Sequence, residues 1–185
     1  LTKEECEAEG NASIDGECKE LPNTGGGSDE GSVAVTPEGQ FITSEAQFSG
    51  GWTEDGGEYQ TSLTISKEGA DVSAIEIIRF DPAHEGQEVE ILLILSINNL
   101  TPFGPTYWYF VNQASQFVGP ALELDIAALE PWQTHDVVKD EPLVMGPYNL
   151  NNLILPVADW SFYFGYRTSE GTIYFSAVPI TLIVR

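Results

Sequence analysis

Trp160-Ser161-Phe162-Tyr163-Phe164-Gly165-Tyr166 sets an aromatic ring at every second position. Successive side chains leave a strand on opposite faces, so Trp160, Phe162, Phe164 and Tyr166 line one face of a single strand. A helix would scatter the same rings around its axis. The stretch runs into a turn signal, Ser169-Glu170-Gly171, and a second apolar run, Ile173 to Phe175, follows. Ile180, Leu182 and Val184 then line a closing strand.

The same period recurs upstream. Tyr59, Thr61, Leu63 and Ile65 alternate with Gln60, Ser62, Thr64 and Ser66, a strand with one wet face. Ile75-Glu76-Ile77-Ile78-Arg79-Phe80 is another strand. Val89, Ile91, Leu93, Leu95 and Ile97 share a face in a third, and Leu92 and Ile94 on its other face mark it as central. Tyr107 to Val111 is aromatic and β-branched. Ala121 to Leu129 is the only helical candidate, and its Leu122, Leu124 and Ile126 alternate equally well as a strand, the preferred reading. Several short strands separated by turn residues predict an all-β fold, an antiparallel β-sandwich over residues 33–185. Its core is expected to hold Ile91, Leu93, Leu95, Phe162, Phe164, Leu182 and Val184.

Residues 1–32 read differently. Cys6 and Cys18 are the only cysteines and sit among glutamates, with turn signals at Gly10-Asn11 and Asp15-Gly16. No second cysteine pair or histidine accompanies them, so zinc is disfavoured. A disulfide is the natural reading and two free surface thiols the alternative. A structural disulfide points to an oxidising compartment. Residues 21–32 are a Gly-rich linker by composition. The expected organisation is a disulfide-looped arm and linker over 1–32, with little core of its own, followed by the sandwich over 33–185.

Charge narrows the partners. The 185 residues carry 29 acidic and 7 basic side chains, a net charge of −22. Such a field repels nucleic-acid phosphates and anionic headgroups, which argues against both as partners. The acids serve solubility, or some of them hold Ca²⁺, a hard cation that takes oxygen ligands. Glu54, Asp55 and Glu58 in Thr53-Glu54-Asp55-Gly56-Gly57-Glu58 are the best local candidates, against a solvated hairpin turn. Asp136, Asp140 and Glu141 form a weaker cluster. The longest apolar run, Ile91 to Leu95, is far below the roughly 20 residues of a membrane helix. Leu1-Thr2-Lys3-Glu4-Glu5 lacks the apolar core of a signal peptide, as expected where such a segment has been removed or left out.

Few residues invite catalysis. His84 and His135 are the only imidazoles, and no nucleophile elbow, zincin helix or phosphate loop is present. Asp81-Pro82-Ala83-His84-Glu85-Gly86 sets an acid beside a histidine, and the bland reading is a turn whose Asp caps backbone N–H groups. A carboxylate-based hydrolase needs a pair of acids, and nothing singles one out among 29. Leu21-Pro22-Asn23-Thr24-Gly25 matches a sortase signal at the wrong end of the chain. Asn11-Ala12-Ser13 and Asn99-Leu100-Thr101 match the glycosylation acceptor at the frequency chance provides. Tyr107-Trp108-Tyr109-Phe110 is more promising. One alternate pair points at the core, and the other, if exposed, can stack on sugar rings.

Two stretches taken together carry a resemblance. Phe48-Ser49-Gly50-Gly51-Trp52 leads, after Tyr59, to Asp81-Pro82-Ala83-His84-Glu85-Gly86-Gln87. Trp160 to Tyr166 leads to Tyr174 and to Ile180–Val184. Over residues 41–185 they resemble immunoglobulin- or fibronectin-like β-sandwich modules of bacterial secreted and cell-surface proteins. The Cys6-to-Cys18 loop also resembles short disulfide loops near the start of mature exported bacterial proteins. The resemblance implies a fold and a location (periplasmic, cell-surface or secreted), and it carries no catalytic residue. The expectation is a non-catalytic exported module that binds or spaces and needs no cofactor, its partner a glycan or another surface protein. The alternatives are a carbohydrate-binding module using Tyr107, Trp108 and Tyr109, and a carboxylate hydrolase. Calcium is compatible with any of them.

Overall fold

The computed structural model describes residues 1–22, 32–66, 71–150 and 155–185. Residues 23–31 of the linker expected over 21–32, and most of the Leu21-to-Gly25 match, lie outside the described residues. Strands make up 50% of the chain and helix 7%, so the all-β expectation holds.

A short helix α1 (Lys3–Ala8) opens the chain. Its capping box joins Thr2 and Glu5, a Thr-x-x-Glu start signal that a reading of this segment as a bare loop misses. Strands β1 (Ala12–Ile14) and β2 (Glu17–Lys19) form a hairpin around Asp15-Gly16, both with positive φ. Cys6 and Cys18 are bonded, tying α1 to β2. Beyond them come β3 (Ser32–Val35), β4 (Phe41–Ile42), β5 (Gln47–Glu54), β6 (Ser62–Ile65) and β7 (Val72–Arg79). The long β8 (Glu88–Asn98), β9 (Tyr107–Val111), β10 (Phe117–Ala121) and β11 (Gln133–Asp136) follow. The last four are β12 (Leu143–Asn149), β13 (Ala158–Arg167), β14 (Ile173–Ser176) and β15 (Ile180–Val184).

Strands β8 and β13 pair over nine positions, Asp159↔Asn98 through Arg167↔Glu90, and are the spine of the larger sheet. Both are long enough to host two neighbours on their outer edges. β8 takes β9 at one end and β11 at the other. β13 takes β15 along Ala158–Phe162 and β14 along Gly165–Arg167. β14 continues to β3 and the terminal β4, and β9 to β10. β15 pairs with β6 in parallel, the one departure from antiparallel pairing among the described strands. The second sheet has the order β12-β7-β5.

One apolar cluster draws on both sheets. Phe48 of β5 meets Phe164 edge-on at 5.8 Å, and Trp52 meets Phe162 at 5.1 Å. Of the expected core, Ile91, Leu95, Phe164, Leu182 and Val184 are buried, while Leu93 and Phe162 are half-buried against the cluster. The opposite face of β7 is also covered. Ile75 and Ile77 pack with Ala12 and Leu21 of the arm. Hydrogen bonds lock that contact: Gly50 N–H donates to Pro22 O at 2.9 Å, and the Arg79 guanidinium donates to Glu7 O at 3.1 Å. The arm thus shares a core with the body, and the expectation that it has little core applies only to the arm taken alone.

The segment from Ala121 to Leu129 is neither a strand nor a full helix. β10 ends at Ala121, and Ile126–Ala128 forms one 3-10 turn, capped where Ala127 N–H donates to Asp125 Oδ1. Leu124 and Leu129 fold back onto Leu92 and Ile173. That burial overrides the local alternation on which the strand reading rests.

Candidate functional site

The aromatic run of β9 is divided between the two faces of the larger sheet. Tyr107 and Tyr109 pack with Leu95, Ile97 and Ala158. Phe110 joins Leu92 and Leu129 on the other face. Trp108, also on that face, leans toward Tyr163 at 6.0 Å and 38°. Ser96, directly opposite Trp108, is buried. The three candidates Tyr107, Trp108 and Tyr109 therefore do not form one platform. The outward pair is Trp108 with Tyr163, and register across β8 and β13 is what reveals it.

Glu54, Asp55 and Glu58 surround the turn after β5 and are exposed. Asp55 and Gly56 both have positive φ. Gly57 N–H donates to Glu54 O at 3.0 Å, and Lys19 Nζ donates to Gly56 O at 3.1 Å. Among the described residues no three His, Cys, Asp or Glu side chains converge as metal ligands.

Asp81 and His84 are tied into the fold. Asp81 Oδ1 accepts the Ala83 N–H at 3.0 Å, capping the 3-10 turn Pro82–His84, and Oδ2 accepts the Glu45 N–H at 2.9 Å. The Tyr166 hydroxyl accepts the Asp81 N–H at 3.1 Å and is hydrogen-bonded to His84 Nδ1 at 3.0 Å. His84 packs edge-on to Tyr174 at 4.7 Å. Burial lowers its pKa from 6.5, partly offset by the charges of Asp81 and Glu170. Burial likewise raises the Tyr166 pKa.

Beside this turn lies a groove of about 980 Å³. Three connections build most of it, the chain entering β5, the turn after β7 and the link from β11 to β12, with Ala8 of α1 and Ser32 of β3 completing the lining. Ile42, Phe80, Pro82, Val137, Val138 and Pro142 supply apolar surface. Glu45, Asp81, Glu85, Asp140 and Glu141 supply five carboxyls, against the single cation Arg79. Phe80 is held by stacking on His135 at 5.2 Å. Sequence reasoning singles out Asp140 and Glu141 only as a weak local cluster. It has no signal joining them to Glu45 and Glu85, which arrive from other loops.

One further acid is enclosed elsewhere. Glu76 is 5% exposed on the core-facing side of β7, between Gly50 of β5 and Met145 of β12. A Cβ at Gly50 would stand 2.8 Å from Ile75 O, so the glycine lets the β5 backbone approach β7 closely beside Glu76. Burial pushes the Glu76 pKa up to about 8 from 4.5. Tyr148 is pushed up to about 12, by burial first and the Glu76 charge second. On the neighbouring strand the buried Trp52 Nε1 has no hydrogen-bond partner among the described residues.

No protein-family model matches the chain, and a comparison with curated proteins finds no match.

Proposed function

We propose that this chain is a non-catalytic binding module, an immunoglobulin-like β-sandwich of an exported bacterial surface or secreted protein, whose working surface is the groove beside Asp81. The observation that carries this reading is the division of labour among the acids. A glycosidase-type general acid must be kept protonated by an apolar enclosure next to the substrate. Among the described carboxyls, the one that burial keeps protonated at neutral pH is Glu76, and it does not line the groove. In the groove, Asp81 has both oxygens engaged by backbone N–H groups. What remains is an open, charged, partly apolar surface suited to holding a partner. Two sheets sharing one core support the sandwich, and the Cys6–Cys18 bond supports an oxidising compartment. Incubation with panels of chromogenic glycosides and esters should give no turnover. Turnover that disappears in Glu85→Gln or Glu141→Gln would overturn the reading.

A second reading, a carbohydrate-binding module, is favoured by the outward Trp108–Tyr163 pair. Half-exposed rings on a sheet face can stack on the apolar face of a sugar. A glycan array should then show hits that Trp108→Ala removes, and hits that persist in that variant would place the sugar elsewhere.

A further inference from the structure

We infer that the groove beside Asp81 receives an extended, lysine- or arginine-bearing apolar segment of a partner protein. This rests on the groove being the working surface and names what it holds. Three features of different kinds point the same way. The first is size: about 980 Å³ lies at the top of the roughly 300–1,000 Å³ range of ligand pockets, so a chain segment fits better than a single ion. The second is charge. Five carboxyls face one guanidinium, and Arg79 is itself held by Glu7 O. Glu45, Glu85, Asp140 and Glu141 are exposed, free to meet a cation while staying partly hydrated. The third is the rim. Among the described strands β4 is terminal in the larger sheet; its groove-lining Ile42 is 42% exposed, and Val138 across the groove is 51% exposed. A terminal strand whose outer edge meets no other described strand, with an apolar side chain beside it, can accept an added strand, whose alternate residues then reach the floor and the acids. A second copy of this chain is disfavoured, because each copy carries −22.

The test uses the whole oxidised chain and a labelled synthetic peptide alternating lysine and valine, read by fluorescence anisotropy. Two control peptides alternate glutamate with valine and lysine with serine. The lysine–valine peptide should bind, more weakly as salt rises, and both controls should bind at least about tenfold less well. Glu45→Gln/Glu85→Gln/Glu141→Gln should weaken binding about tenfold, each exposed charge contributing a few-fold. Glu4→Gln/Glu54→Gln/Glu58→Gln removes as much charge away from the groove and should bind like the parent. Val138→Ser, which removes apolar surface at an exposed position, should weaken binding without lowering the melting temperature. Equal loss in both triple variants would reduce the effect to bulk charge and overturn the inference. Equal binding of the lysine–serine peptide would do the same, as would Ca²⁺ binding at the groove with no peptide bound. Absence of peptide binding overturns this inference alone; the non-catalytic reading falls only to turnover.

Discussion

Glu76 is the residue whose setting has the clearest consequence. It has no cation across from it on β5 or β12, where its neighbours are Gly50 and Met145. The Arg79 side chain leaves β7 by the other face, toward the arm. A carboxyl in that place is kept as the neutral acid. Its folded pKa of about 8 lies above the ordinary 4.5, so between those values the folded chain holds a proton that the unfolded chain has released. Stability from this group is therefore complete below pH 4.5 and is lost as pH rises through 8. Every tenfold gain in proton affinity on folding corresponds to about 1.4 kcal/mol. In thermal unfolding from pH 5 to pH 9 the parent should lose more stability than Glu76→Gln, and the variant should be the more stable at pH 9. Parallel curves would show that Glu76 is ionised in the fold. His84 works in the opposite sense. Its lowered pKa stabilises the fold above 6.5, and that contribution is lost as pH falls through its folded value. Its partner Tyr166 is fully buried, and Tyr166→Phe leaves the Asp81 N–H and His84 Nδ1 without their shared hydroxyl. The expected cost is about 1–3 kcal/mol, measured by denaturant unfolding.

At the scale of elements, the edges and the crowded pairings of the larger sheet matter most. The edge strands β10 of the larger sheet and β12 of the smaller one carry Pro120 and Pro147, which cannot donate to an added strand, and each is irregular at its proline. β4 carries no proline, and its exposed Ile42 lines the groove. β14 connects that edge to the spine, and its fit depends on Gly165. A Cβ there would lie 2.2 Å from Tyr174 O and 2.7 Å from Phe175 Cβ, too close for any rotamer to relieve. Gly165→Ala should push β14 off β13 and cost at least about 1–3 kcal/mol. Hydrogen exchange should quicken along β14 and β3 before it does along β8. Unchanged exchange there would mean the sheet absorbs the methyl group by a shift elsewhere.

For the molecule as a whole, the arm is the part whose attachment can be tested. Its disulfide closes a short loop and contributes about 3 kcal/mol in the chain-entropy model. Ala12 and Leu21 cover Ile75 and Ile77, so releasing the arm uncovers the outer face of the smaller sheet. Cys6→Ala/Cys18→Ala should lower the melting temperature and raise binding of a hydrophobic dye; a dye response equal to the parent's would show that the arm docks without its bond. Much of this architecture was legible. The alternation in Val89–Ile97 and Trp160–Tyr166 marks both strands of the spine, and the Asp81 turn reads as a capped turn. Less legible were α1, announced only by Thr2 and Glu5 at its start, and the 121–129 segment, where local alternation lost to burial of Leu124 and Leu129. The groove was not legible at all.

What the sequence determined by itself is what short-range physics controls: period-two strands, Gly- and Asp-centred turns, the single possible cysteine pair and a field of −22. Tertiary structure alone decided which faces are covered and which loops meet. Ile75-Glu76-Ile77-Ile78 shows the difference. Local alternation would turn Glu76 to water, but the arm covers the face of Ile75 and Ile77, and Glu76 is left facing the core between the sheets. The gathering of Glu45, Glu85 and Glu141 at one groove follows from strand order and register. Those depend on pairings between residues far apart in the chain, and no local pattern of residues encodes them.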